Sequence, residues 1–126
     1  MTSEKDFERL IALVCEKKPF IPGLVRRHMA RAAMARRNCI AGIFTQYQRE
    51  IYGGLESVLD KLSQPVWVVW GTQDRVLDVS SCEVMRPLLP SAEFDIMDDT
   101  GHLPMLERPK LCAQRYRGFL RRRAQG

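Results

Sequence analysis

The sequence predicts an α/β fold, and three observations carry that prediction. The first half of the chain repeats apolar residues at helical spacing. The second half opens with a continuous β-branched and aromatic run, Val66–Trp70, which suits a parallel strand covered on both faces. An alternating segment, Ala92–Met97, follows one helix later, so the order is helices and then β-α-β-α. We therefore expect a mostly parallel sheet with right-handed crossovers.

Four amphipathic segments precede the first strand. Their apolar positions are Phe7, Leu10, Ile11 and Val14, then Leu24, Val25, His28, Met29, Ala32 and Ala33, then Ile40, Ile43, Phe44 and Tyr47, and finally Leu55, Val58, Leu59 and Leu62. Pro19–Gly23 separates the first two, because proline ends one helix and can begin the next. Gly53-Gly54 separates the last two. Since His28 lies on the second stripe, we interpret it as a packed core histidine rather than a catalytic one.

Capping and breaking residues predict the remaining helices. Ser80 followed by Glu83 fits a capping box that opens a helix through about Leu88, and Pro90 stops it. The last helix is predicted to begin at Pro109. Its apolar face contains Cys112, Tyr116, Phe119 and Leu120.

Composition narrows the class of protein. The 126 residues are 45% hydrophobic and 28% charged, which is typical of one globular domain. No apolar run approaches the roughly 20 residues that cross a bilayer. The first residues, MTSEKDFERL, contain no signal-peptide core. These observations favour a cytoplasmic or membrane-peripheral location without fixing it.

The cysteines and histidines predict neither a metal site nor a bound cofactor. Cys15, Cys39, Cys82 and Cys112 are widely scattered, with no CxxC pair and no nearby histidine cluster. A disulfide framework is not predicted either. We expect the four cysteines to be buried free thiols.

The chain is basic, with a formal net charge of +5. The excess is concentrated in Arg26–Arg37 and in Arg121–Arg123. We interpret these runs as a solvated helix face and a helix end. Peripheral membrane contact or an acidic partner is the alternative. No RNP, zinc-finger or GxxG signature accompanies the charge, which argues against nucleic acid as a partner.

Two side chains that can act as an acid and a base follow the two strands. In open α/β sheets, ligands bind outside the carboxyl ends of the strands. Asp74 follows the first strand and His102 follows the second, and the 28 residues between them are about one crossover. We therefore expect the two side chains to meet. An acid that accepts from one ring nitrogen leaves the other nitrogen free to act as a base.

Three segments resemble a known family. Trp70–Val79 (WGTQDRVLDV), Gly101–Pro109 (GHLPMLERP) and a helix ending in FL resemble the C-terminal part of an α/β-hydrolase-fold enzyme, above all the monoacylglycerol-lipase-like lipases and esterases. Lys18–Val25 resembles part of that branch's helical cap. The resemblance covers nearly the whole chain. It implies that residues 1–52 form a helical cap or lid segment and residues 53–126 the C-terminal part of the core, with its last two β-α units.

The resemblance also implies site residues. Asp74 takes the position of the triad acid and His102 that of the triad base. Asp78 competes for the acid role, but we expect it to shape the turn. Asp98 and Asp99 are close to His102 in sequence, and we expect them to cap the loop.

Glu107 and Pro109 lie at the end of the histidine motif Gly101–Pro109. We expect both residues to help start the last helix, since acids favour the positive end of a helix. A direct catalytic role for Glu107 is not predicted.

The nucleophile of such a triad is absent from the sequence. A serine hydrolase of this fold carries its serine in a G-x-S-x-G turn, and no serine here lies in one. Gly54–Ser57 is the nearest approach, but the segment is predicted to be helical. We therefore expect the C-terminal portion of a serine α/β hydrolase of carboxylic esters, with a small-molecule ester or lipid as substrate. Alone, it should be inactive.

A non-catalytic function is the alternative. Two strands do not normally make a stable sheet, and an open strand edge invites pairing with another chain. The chain would then be a hydrolase-derived interaction module. Its partner would be a second copy of itself or a complementary N-terminal half.

Overall fold

A computed structural model describes residues 3–50 and 56–125. The predicted Gly53-Gly54 break, Leu55 and the expected boundary between residues 52 and 53 lie outside the described residues. The elements follow one another as α1 (Glu4–Val14), α2 (Gly23–Ala35), α3 (Arg37–Glu50), α4 (Glu56–Leu59), β1 (Trp67–Gly71), α5 (Ser81–Leu88), β2 (Glu93–Met97), α6 (Pro104–Glu107) and α7 (Pro109–Ala124).

The first helix is capped at its N-terminus and partly buried. The Ser3 side chain accepts from the backbone N–H of Asp6 at 3.2 Å, and the Asp6 carboxylate accepts from the Ser3 N–H at 3.1 Å. This reciprocal pair satisfies two N–H groups that a helix start leaves open. Phe7, one turn later, is only 5% exposed, whereas Leu10 on the same predicted face is 38% exposed, so α1 buries part of that face.

The two strands pair in parallel, as predicted. Trp67 lies opposite Glu93, and the register continues to Gly71 opposite Met97. A parallel pair needs a crossover, and α5 provides it. The two carboxyl ends therefore lie at one edge of the sheet.

Helices lie against both faces of this pair. On one face Val68 packs with Cys82 and Leu89, from α5 and its end. On the other face the Trp67 ring stacks on two rings of α7, Tyr116 at 5.7 Å and Phe119 at 6.2 Å between centroids. Cover over the strands is partial in the part of the chain that is described, because most β1 residues stay half-buried.

The predicted capping box at Ser80 is wrong. The Ser80 side chain makes no cap hydrogen bond, and its backbone is itself helical. Asp78 acts there instead, since its carboxylate accepts from the Ser80 N–H at 2.9 Å. That hydrogen bonding with Ser80 lowers the pKa of the Asp78 carboxyl. Asp78 thus shapes the turn, as expected.

The apolar stripes of α2 and α3 are not buried as predicted. His28 is exposed, so its interpretation as a core histidine is wrong. All four stripe residues of α3 are exposed, namely Ile40, Ile43, Phe44 and Tyr47. Helical periodicity shows that a helix has an apolar face, but it does not supply a partner for that face.

The cysteines are free thiols, and three of the four are buried as expected, whereas Cys39 is exposed. Within residues 3–50 and 56–125, no group of three His, Cys, Asp or Glu side chains is placed to hold a metal ion. None of the described helices is long and apolar enough to cross a membrane.

Candidate functional site

Two loops meet at the carboxyl edge of the sheet. We call Thr72–Asp78, after β1, the acid loop and Asp98–Leu103, after β2, the histidine loop. A backbone hydrogen bond joins them, from the Gln73 N–H to the Thr100 carbonyl at 2.9 Å, and the Thr72 N–H donates to the carbonyl of Met97 at the end of β2 at 2.9 Å. The loops are thus held as one unit.

A glycine at the end of β1 makes this approach fit. A Cβ atom at Gly71 would lie 2.1 Å from the Thr100 carbonyl oxygen and 2.3 Å from that of Gly101. Both neighbours are backbone atoms, which cannot rotate away as a side chain can. Position 71 therefore has room only for glycine while the loops stay together.

Asp74 and His102 are in hydrogen-bond contact. His102 Nδ1 lies 2.8 Å from Asp74 Oδ2. The other carboxylate oxygen, Oδ1, accepts from the backbone N–H groups of Val76 at 2.8 Å and Leu77 at 3.0 Å. The Asp74 side chain is 4% exposed and that of His102 is 31% exposed. The expected meeting of the two side chains is present.

The electrostatics favour an ionised Asp74. Burial acts to raise the pKa of the Asp74 carboxyl, but hydrogen bonds from the Leu77 N–H, the His102 ring and the Val76 N–H outweigh it. The pKa of Asp74 therefore lies below its ordinary value. An ionised carboxylate can only accept hydrogen bonds, so the His102 ring donates from Nδ1. In the neutral ring Nε2 then carries the free lone pair.

The Asp74 turn has its own supports. The Trp70 indole N–H donates to the Leu77 carbonyl at 3.0 Å, which ties the end of the turn back to β1. The Arg75 guanidinium donates to the Ala12 carbonyl at 3.2 Å and pairs with the Glu16 carboxylate. The acid loop is thereby anchored to the end of α1, a contact that the sequence did not predict.

Asp98 and Asp99 contribute to the loop through their backbone carbonyls, and their expected role as caps stays a prediction. Both side chains are exposed. Arg108 donates to their carbonyl oxygens at 3.4 and 3.2 Å, and the Asp99 carboxylate lies 3.8 Å from Lys17 Nζ. Asp99 has a φ of 49°, a left-handed conformation that aspartate tolerates better than most residues. It completes the sharp turn toward His102.

Glu107 does not start the last helix as predicted. It ends α6, and α7 begins two residues later at Pro109. One carboxylate oxygen accepts from the Gly101 N–H at 2.9 Å, and the other accepts from the Lys17 N–H at 2.8 Å. Spacing alone could not reveal this role, because Lys17 is 90 residues away in the chain.

The backbone of His102 is also tied to α1. The His102 N–H donates to the carbonyl of Val14, the last residue of α1, at 2.8 Å. The residues that follow, Cys15–Lys17, are called the α1 extension below. Cys15 itself is 2% exposed, so the extension is packed and not loose.

The absence of a G-x-S-x-G nucleophile turn is a property of the sequence. The nearest approach, Gly54–Ser57, lies only partly within the described residues, and there Ser57 belongs to α4. No G-x-S-x-G occurs anywhere in the 126 residues.

A protein-family model and known relatives match this chain. The model described as the alpha/beta hydrolase fold matches residues 19–109. Lipase 3 of Moraxella sp. (strain TA144) is 29% identical over 119 residues, which are 94% of this chain and 38% of that protein. Monoacylglycerol lipase abhd6-B of Xenopus laevis is 28% identical over 118 residues, 92% of this chain and 34% of that protein.

A solved structure matches as well. The crystal structure of a membrane phospholipase A, a bacterial virulence factor, superposes with a TM-score of 0.86 at 42% identity. The match covers 94% of this chain and 38% of that one. The chain thus spans well under half the length of each of these three relatives.

Proposed function

The chain belongs to the α/β-hydrolase fold family, and from that premise we propose that it supplies the acid and the base of a serine hydrolase that cleaves carboxylic esters. Asp74 is the acid and His102 the base. The serine nucleophile and the oxyanion hole come from outside these 126 residues. The relatives named lipase, monoacylglycerol lipase and phospholipase support an ester of a lipid as the substrate class.

One observation carries this proposal. The hydrogen bond of 2.8 Å between His102 Nδ1 and Asp74 Oδ2 joins a largely buried carboxylate to a partly exposed imidazole. A carboxylate placed this way fixes the ring tautomer and stabilises the imidazolium that forms when the ring takes a proton. A carboxylate on Nδ1 leaves Nε2 as the ring nitrogen that can take a proton from a nucleophile.

In the proposed reaction a proton passes from the serine to His102 and then to the leaving alcohol. The serine oxygen attacks the ester carbonyl as its proton passes to His102 Nε2, which leaves a tetrahedral oxyanion and an imidazolium held by Asp74. When the carbon–oxygen bond to the alcohol breaks, Nε2 returns that proton to the leaving oxygen. Water then attacks the acyl-serine with the same ring as base, and the acid and free enzyme are released.

We also propose that the chain consists of two segments with different functions. Residues 1–52 act as a helical cap or lid over the substrate, and residues 53–126 form the C-terminal part of the core. The match of the family model to residues 19–109 supports both segments as parts of one hydrolase. The exposed apolar stripe of α3 is suited to a cap, because a lipid substrate needs an apolar surface to bind.

The test is activity of the chain alone. A serine-directed fluorophosphonate probe should label the purified 126-residue chain no more than it labels the His102→Ala variant, and ester turnover should equal the uncatalysed rate. The reason is that an acid and a base without nucleophile and oxyanion hole contribute little rate. Turnover above background that disappears in His102→Ala would overturn the assignment of the nucleophile to another segment.

A further inference from the structure

We propose that Glu107 is a positioning residue that clamps the histidine loop to the α1 extension and so keeps His102 aligned with Asp74. The inference rests on the proposed function, since it gives a second residue a task in the Asp74–His102 pair. Glu107 touches neither the ring nor the acid in this task. It acts through the backbone of the loop that carries His102.

The first support is the use of both carboxylate oxygens. Oε1 of Glu107 accepts from the N–H of Gly101, the residue immediately before His102, and Oε2 accepts from the N–H of Lys17. Each oxygen holds one backbone segment, so the carboxylate bridges two parts of the chain that are distant in sequence. Bonds to a charged acceptor are stronger than those between neutral groups.

The second support is that only a carboxylate fits both donors. A glutamine side chain has the same length but only one oxygen, and its nitrogen carries two donor hydrogens. At position 107 one of the two backbone N–H groups would then face an NH₂ group instead of an acceptor. Glu107→Gln is therefore a nearly isosteric way to remove half of the clamp.

The third support is the close packing around Gly101. A Cβ atom there would lie 2.7 Å from the Glu16 nitrogen and 2.9 Å from both Glu107 Oε1 and the Val14 carbonyl oxygen. The His102 N–H donates to that same Val14 oxygen. The histidine loop is thus packed between Glu107 and the end of α1 and hydrogen-bonded to both.

The surroundings of Cys15 agree with this placement. Burial raises the pKa of the Cys15 thiol, and the negative charge of Glu107 raises it further. The carboxylate is therefore close enough to the α1 extension to act on it electrostatically as well as through the Lys17 hydrogen bond.

The clamp has a consequence for the hydrolase. The α1 extension belongs to the segment that we propose as the cap. Lys17 of the extension is bonded to Glu107, and Val14 at the end of α1 is bonded to His102. A displacement of α1 would therefore shift the backbone at Gly101 and His102. The position of the cap segment and the alignment of the base are therefore coupled.

The test is the tautomer of His102 in the 126-residue chain with ¹⁵N-labelled histidine, read by two-bond ¹H–¹⁵N correlation. His28→Gln assigns the two rings, and Asp74→Asn serves as the reference for a broken pair. Glu107→Gln should lower the population of the Nδ1–H tautomer toward that reference. It should also speed amide exchange at Lys17 and Gly101, on the order of tenfold. The matched control is Glu83→Gln, an exposed carboxylate on α5, which should change neither quantity.

A folded Glu107→Gln chain that keeps the tautomer population of the unmodified chain would overturn the clamp. If that variant does not fold, amide exchange in the unmodified chain decides. The Lys17, Gly101 and His102 amides should exchange at one common rate as a cooperative unit, and widely separate rates would overturn the proposal. Failure of the proposed function looks different, because His102 of the unmodified chain would then lack the Nδ1–H tautomer.

Discussion

Helices α1 and α3 are both amphipathic, yet among the described residues only α1 buries an aromatic residue of its apolar face. On α1, Phe7 is 5% exposed, and the helix end bonds to both loops of the candidate site. On α3, the equivalent aromatic residue Phe44 is 63% exposed. The two helices come from the same predicted cap segment, so the segment is not uniform. The end of its first helix is hydrogen-bonded to the loops of the candidate site, and its third helix has an exposed apolar stripe.

The difference shows that the amphipathic pattern of a helix does not by itself determine whether its apolar face is buried. Periodicity fixes which residues share a face, but burial depends on what lies opposite. At its C-terminal end α1 is hydrogen-bonded to both the acid loop and the histidine loop. A change in α1 should therefore reach both the stability of the chain and the geometry of the site, whereas the loss of an exposed apolar side chain from α3 should reach neither.

The largest expected effect is that of a matched pair of phenylalanines. Phe7→Ala should lower the free energy of unfolding by about 3–5 kcal/mol, because it removes a buried ring and leaves a cavity. Phe44→Ala should change it by no more than about 0.5 kcal/mol, as for other exposed positions. Urea unfolding followed by circular dichroism measures both. Equal losses would mean that α3 is covered too, which would break the comparison.

A pair of glycines gives the next effect. Gly71→Ala should cost about 1–3 kcal/mol, because the new methyl group meets the backbone oxygens of the histidine loop. Gly42→Ala on α3 meets nothing within 4 Å and should stabilise the chain by about 0.5–1 kcal/mol through helix propensity. Thermal unfolding of the two variants should shift in opposite directions. A shift of the same sign in both would contradict the tight loop contact.

Asp74→Asn should cost about 1–3 kcal/mol near neutral pH, since it weakens charge-assisted hydrogen bonds at a buried site. Because the folded-state pKa of Asp74 is lowered, its contribution is fully present above the unfolded value of about 4 and is lost as the pH falls through the folded value. The difference between unmodified and variant chains should therefore shrink only in acid.

Urea midpoints measured from neutral pH down to about pH 3 give that curve, with Asp60→Asn, an exposed aspartate, as the control. The control should differ from the unmodified chain by at most about 0.5 kcal/mol near neutral pH. A difference for Asp74→Asn that persists unchanged in acid would show that the carboxylate charge is not what stabilises the pair.

The smallest effect belongs to Arg75. Arg75→Gln removes the ion pair with Glu16, which is largely exposed, so the cost should be about 0.2–1 kcal/mol and should decrease at high salt. Arg27→Gln on the exposed surface of α2 is the control. Urea midpoints at low and high ionic strength measure both. A salt-independent loss would assign the effect to the hydrogen bond between Arg75 and the Ala12 carbonyl and not to the ion pair.

The strands and the meeting of the acid with the base were predictable from the sequence. A continuous apolar run and an alternating one mark β1 and β2, and parallel pairing sends Asp74 and His102 to one edge. These are rules about neighbouring elements, so local patterns are sufficient for them.

Contacts across long sequence separations were not predictable. Glu107 reaches Lys17 through a bond that no local pattern encodes. The capping box at Ser80 failed because Asp78, two residues earlier, already supplied the acceptor. His28 failed because helical spacing cannot reveal whether a face is covered.

The central claim is that Asp74 and His102 are the acid and base of an ester hydrolase. A hybrid tests it most directly, in which this chain replaces the matching 119-residue portion of Lipase 3 from Moraxella sp.. The measured quantity is turnover of an ester that intact Lipase 3 cleaves. The hybrid should turn over the ester, and the same hybrid with His102→Ala should lose at least about 1,000-fold in kcat. A hybrid with the circular dichroism of the parent lipase and no turnover, or one indifferent to His102→Ala, would contradict the claim.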